Sequence, residues 1–138
     1  MSTPPVPDVL PHVDAVQAAL VAADLTVFVG GTPTGAWAPP DKFAVLYPDP
    51  GTAVRESLAD ERTTLDSLMQ ITCVGSDVER ALWVAGRVRR ALSRPLVVDG
   101  RVSWRPEDLG GPPVQRDDDV NPPLYFVPVQ YRICSTLA

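Results

Sequence analysis

Apolar residues fall into seven patterned blocks, most of them bounded by proline or glycine. In the first, Val9, Val13, Val16 and Leu20 recur at helical spacing behind Asp8, a residue type that caps helix starts, and the pattern stops near Ala23. Pro11 is compatible with this helix, because first-turn amides have no partner to lose. Thr26 to Val29 reads as a short strand stopped by Gly30-Gly31, followed by a projecting loop from Thr32 to Asp41 that carries Trp37. Phe43, Val45 and Tyr47 alternate with Lys42, Ala44 and Leu46 in a second strand, which Pro48-Asp49-Pro50-Gly51 closes as a turn.

Charge dominates Thr52 to Thr64, with too little periodicity for a buried element, and the stretch reads as a long mobile loop. A strand follows from Leu65 to Val74, with Met69, Ile71 and Cys73 on one face and Gln70 and Thr72 on the other. Ser76-Asp77-Val78-Glu79 has the spacing of a capping box. The helix it opens places Val78, Leu82, Ala85, Val88 and Leu92 on one stripe and runs to about Ser93, where Pro95 stops it.

Asp99-Gly100 between β-branched residues predicts a hairpin over Leu96 to Val102. Pro106 to Pro123, with five prolines and the run Asp117-Asp118-Asp119, reads as an extended arm or loop. Tyr125, Val127, Val129, Tyr131 and Ile133 then alternate through a strand from Leu124 to Ser135, in which Pro128 marks an edge or a bulge. These elements predict a single α+β domain over residues 1–138: a mainly antiparallel sheet of about five strands carrying two principal helices. Long Pro-rich loops are expected to project near 30–41, 49–64 and 105–123.

Composition narrows the functional classes. A chain of 138 residues with 45% hydrophobic content suffices for one core. A net charge of −5 and a pI near 4.7 repel nucleic acid on average. No apolar run approaches the ~20 residues of a membrane span, and Met-Ser-Thr-Pro-Pro lacks the features of a signal peptide. Cys73 and Cys134 have no metal-type spacing and are expected as reduced core thiols.

Candidate chemistry is sparse. His12 is the one histidine, and local sequence aligns no Ser or Cys beside it as a nucleophile. Gly30-Gly31-Thr32-Pro33-Thr34-Gly35 lacks the Lys-Ser/Thr ending of a phosphate-binding loop. Asp117, Asp118 and Asp119 alternate in direction along an extended chain and lack a calcium-loop frame, so no metal is expected there. Nor does the sequence place two of the carboxylates at 56–66 across one pocket. Neither a catalytic site nor a cofactor is expected.

One constellation stands out. Arg80, Trp83, Arg87, Arg90 and Arg94 recur every three or four residues along the second helix. They form either a solvated face or an interface, since Arg and Trp are frequent interface anchors. Trp37 offers a similar choice, tucked onto its own domain or inserted into a partner. Trp37, Trp83, Arg87, Arg90, Arg94 and the acidic run Asp117, Asp118 and Asp119 are the candidate contact residues.

The order of phrases carries a resemblance. The opening helix is followed by Phe43-Ala44-Val45-Leu46-Tyr47-Pro48, then by Leu65-Asp66-Ser67-Leu68-Met69-Gln70-Ile71-Thr72 running into a capped helix. Leu96-Val97-Val98-Asp99-Gly100-Arg101 and Pro123-Leu124-Tyr125-Phe126-Val127-Pro128-Val129-Gln130-Tyr131-Arg132 complete the series. Over nearly its whole length the chain resembles the tail terminator proteins of long, non-contractile-tailed phages, such as those of actinobacteria. The resemblance implies a lambda-tail-terminator-like subunit that forms a homo-hexameric ring at the head-proximal end of the virion tail, after assembly in the host cytoplasm. The implied partners are other copies of itself, the major tail tube protein, a neck or head-completion protein, and DNA that passes through the lumen without specific binding. No membrane is involved in such a role. A neck or head-completion component is the rival within assembly proteins, and a small hydrolase or nucleic-acid-binding protein is the rival from another class.

Overall fold

The structure is a computed structural model that describes residues 6–55 and 62–138. Helix α1 (Leu10–Ala22) buries His12, Val13, Val16 and Leu20, with Pro11 in the first turn as expected. Asp8 does bond the helix start, its carboxylate accepting from the Leu10 amide at 3.1 Å, but the cap position belongs to Val9 in helical conformation. β1 (Val27–Val29) runs parallel to β2 (Lys42–Pro48), in the register Val27↔Ala44. β2 pairs antiparallel with β4 (Thr64–Gly75), and β3 (Thr52–Val54) folds back onto the start of β4.

β4 in turn pairs with β8 (Leu124–Leu137) along the register Leu65↔Ser135 to Gly75↔Tyr125. Three short strands share the other flank of β8: β5 (Arg101–Ser103), β6 (Glu107–Gly110) and β7 (Gln115–Asp117). The principal order is β1-β2-β4-β8-β5.

The sheet is therefore mixed and eight-stranded, not a sheet of about five strands. The strands missing from the sequence reading share one cause. β3, β6 and β7 are largely exposed, so they carry no alternating apolar face, and they form because β4 and β8 are long enough to offer backbone partners on a second flank. Residues 52–54, 107–110 and 115–117, expected in loops, are thus held by ladders; residues 56–61 of the expected mobile loop lie outside the described residues.

Pro128 is not on an edge strand. It pairs with Thr72 on one flank, while the other flank passes from β6 to β7 beside it. Gly111 makes that passage, its Cα pressed against the Pro128 carbonyl so closely that a Cβ would collide with it. A ladder gap at this point accommodates the missing proline amide.

The hairpin predicted over Leu96 to Val102 does not form. Val98 O accepts from Arg101 N at 3.1 Å across Asp99-Gly100, but only Gly100 takes positive φ (+71°), and residues 96–98 do not join the sheet. A type I′ turn needs positive φ at both central residues and a type II′ turn at the first, and Asp99 supplies neither. Leu96 and Val98 are instead buried in the main core.

α2 (Val78–Ala91) packs with α1 on one face of the sheet, over Ala44, Leu46, Met69, Ile71, Cys73, Val127, Val129, Tyr131 and Ile133. It is capped by Asp77, whose carboxylate accepts from the Arg80 amide at 2.8 Å, so the Ser76-to-Glu79 capping box is not used. The buried stripe is Ala81, Val84 and Val88, with Leu92 just beyond; Val78 and Leu82 of the predicted stripe are exposed. Gly75 explains the rotation. A side chain there would collide with the Ala81 amide and the Arg80 backbone, so the small Ala81 is turned toward the strand it follows.

Candidate docking surfaces

With Val78 and Leu82 turned outward, the solvent face of α2 is at once apolar and cationic. Trp83 is 41% exposed, with the Lys42 ammonium 3.9 Å above its ring and the Arg87 guanidinium at 4.8 Å. Lys42 reaches it from the first position of β2, on the helix-covered side of the sheet. Two cations against one indole fix the ring by electrostatic attraction to its π face. The Nε of Arg87 is shielded from solvent and, among the described residues, has no hydrogen-bond acceptor.

Arg90 and Arg94 are exposed, and no described carboxylate lies within ion-pairing distance of Arg87, Arg90 or Arg94. Arg80 differs, being paired with Asp77 at the helix start. Arg89, which the sequence reading passed over, bonds Asp108 of β6 at 2.8 Å and ties the helix to the outer strands.

Asp117 ends β7, and Asp118 and Asp119 occupy the turn beyond it. Asp117 accepts from the Asp119 amide at 3.0 Å, and Asp118 pairs with Arg116 at 2.7 Å. The run is therefore a braced turn, not a free arm. Among the described residues no ion pair joins it to the arginines of α2.

Trp37 tucks onto its own domain. Its ring meets Phe28 at 5.4 Å and Phe43 at 5.7 Å, both edge-on. This aromatic cluster sits on the sheet face opposite the helices, with Val45 and Val74. Beside it opens a cavity of about 620 Å³ lined by Trp37, Val45, Gln70, Asp117, Val120 and Phe126, among others. Across its floor Gln130 donates to Gln70 at 3.2 Å, and Gln70 to Thr72 at 3.0 Å.

The sequence reading missed one polar constellation entirely. His12 Nε2 lies 2.6 Å from Ser135 Oγ, and His12 Nδ1 lies 2.8 Å from the Asp8 carbonyl. Arg101 donates to Ser135 Oγ at 2.7 Å, to Ser135 O at 2.9 Å and to Thr63 O at 2.6 Å. The Asp8 carbonyl can only accept, so His12 Nδ1 donates to it, and Nε2 of the neutral ring accepts from Ser135 Oγ, which in turn accepts from Arg101. Burial pushes the imidazole pKa below its ordinary value, in keeping with a neutral ring. The order of bonds is that of a base and a hydroxyl nucleophile, yet both side chains are wholly buried, so no substrate reaches them. The constellation fastens α1 to β5 and β8. Only the type of residue was visible beforehand, because 123 positions separate the partners.

The structure therefore defines a mostly β domain, a mixed eight-stranded sheet with two helices packed on one face. No protein-family model matches the chain, and no curated protein does. Its fold is nevertheless shared with solved structures. One is a chain from the virion of a native gene transfer agent particle, at a TM-score of 0.62 and 17% identity, covering 92% of this chain and 94% of that one. A second solved chain aligns at a TM-score of 0.54 and 16% identity, covering 91% of this chain and 96% of its own.

Proposed function

We propose that this chain is a virion structural protein that forms a closed, hexameric ring on the tail tube, ending tube growth and presenting a surface to the head or neck. The observation that carries this reading is the fold held in common, nearly end to end, with a chain of a gene transfer agent virion. The order of sequence phrases agrees with it, and so does the accessible chemistry of the domain, which suits docking. Head-to-tail contacts that close are how rings arise. A chain of net charge −5 lining a DNA passage would let phosphates slide without holding them.

Electron microscopy and light scattering of the purified protein, alone and mixed with tail tubes, test the proposal. Rings at one tube end are expected. A monomer under every condition, tubes included, overturns it, and rings that bind head connectors but never tubes favour a neck protein. Salt-sensitive duplex binding at the ~10⁻⁸ M or tighter level of specific DNA binders contradicts passive DNA passage.

A further inference from the structure

Charge is strongly segregated in this molecule. Residues 78–94 hold five arginines against one glutamate, a net +4 within a chain of net −5, which leaves −9 for the remainder. Along the same helix face Val78 is 45% exposed and Leu82 53% exposed, one turn apart. Gly86 follows, and nothing lies within 4 Å of where its Cβ would be. A glycine inside an exposed helix is less stable there than alanine. What it leaves is a notch where another backbone can approach closely. Trp83 stands beside this notch, and Arg87 and Arg90 have no described carboxylate partner.

The complement is present on the same chain. The turn that begins with Asp117-Asp118-Asp119 ends in Val120, which is 39% exposed. Its carboxylates and apolar tip match, in kind and order, a surface of arginines next to Leu82 and Trp83. The turn is braced by Asp117 and by the Arg116–Asp118 pair, so little conformational freedom remains to be lost on docking. Within one subunit the two surfaces do not meet: α2 covers one sheet face, and Asp117 lines the cavity on the other. Two unlike surfaces that are complementary but separate lead to head-to-tail contact between copies.

We infer that the outer face of α2 is the docking site for the turn 117–120 of a second copy, with Arg87 and Arg90 receiving Asp118 and Asp119 and the Leu82–Trp83 surface receiving Val120. The inference rests on the ring reading above and specifies its contact. Arg–carboxylate pairs formed away from water are charge-assisted and directional, which sets register as well as affinity.

The test measures self-association of the full chain by light scattering and analytical ultracentrifugation, with tail tubes present where the free protein is dilute. Reversal of Arg87 and Arg90 to Glu, or of Asp118 and Asp119 to Arg, is expected to weaken association by about tenfold or more, each lost factor of ten being about 1.4 kcal/mol. An equimolar mixture of the two variants, which places opposite charge at both kinds of mixed junction, is expected to recover alternating mixed assemblies, and the variant carrying all four substitutions to recover rings. The milder Arg90→Ala and Asp119→Asn, at exposed positions, keep the test valid if a reversal unfolds the chain, and each is expected to weaken association measurably. Wild-type rings that are unaffected by every variant overturn this inference and leave the ring reading standing. Weakening by the separate reversals without recovery in the mixture or the four-fold variant also overturns the pairing. A wild-type protein that never associates overturns both.

Discussion

His12 in α1 and Ser135 near the end of β8 are joined by a 2.6 Å hydrogen bond with no solvent access to either side chain. The bond fixes the first helix of the chain to its last strand. Replacing His12 by Ala removes a buried ring and two hydrogen bonds at once, so a loss of about 2–4 kcal/mol is expected in urea unfolding.

Burial of the His12 ring also sets a pH dependence. Burial lowers the His12 pKa in the folded state below the ordinary 6.5, so the unfolded chain takes up the proton first as acid is added. The stability it contributes is complete above pH 6.5 and declines as pH falls through 6.5 toward the lower folded value. Melting curves between pH 8 and pH 5 are expected to show a fall in wild type that His12→Gln reduces; equal slopes for the two proteins would refute this assignment.

Three glycines should respond differently to alanine. Gly75→Ala and Gly111→Ala drive a methyl into the start of α2 and into the Pro128 carbonyl, and each is expected to cost at least about 1–3 kcal/mol. Gly86→Ala meets nothing and is expected to raise folding stability by about 0.5–1 kcal/mol. Thermal melts of the three variants separate these cases directly.

Trp37 holds the 30–41 loop against Phe28 and Phe43. Trp37→Ala is expected to cost about 2–4 kcal/mol, from lost burial and two edge-on aromatic contacts. Conversely, limited proteolysis should cut this loop faster in the variant than in wild type.

Burial pushes the Cys73 thiol up to about 12, and burial with the neighbouring Asp66 raises Cys134 to about 11. The thiolate is the reactive form, so at pH 8 both should react with a disulfide reagent far more slowly in native protein than in urea. Rapid native labelling of Cys73 would show that the core opens there.

Local order in the sequence determined the long, periodic elements. The alternation at Phe43 to Tyr47, Met69 to Cys73 and Val127 to Ile133 is the footprint of strands with distinct faces, and these form β2, β4 and β8 in the expected places. Helical spacing likewise marked α1 and its buried residues. Such patterns are legible because side-chain hydrophobicity by itself separates inside from outside.

What only the tertiary structure decided depends on partners distant in the chain. β3, β6 and β7 exist through backbone hydrogen bonds to β4 and β8, which leave no side-chain pattern to read. The rotation of α2 was set by contact at Gly75, so the apolar-to-cationic outer face with Val78, Leu82 and Trp83 emerged only when Ala81 turned inward. Lys42 came to Trp83, and Ser135 and Arg101 to His12, through sheet register across the chain. The sequence supplied those residue types; long-range packing decided which of them meet.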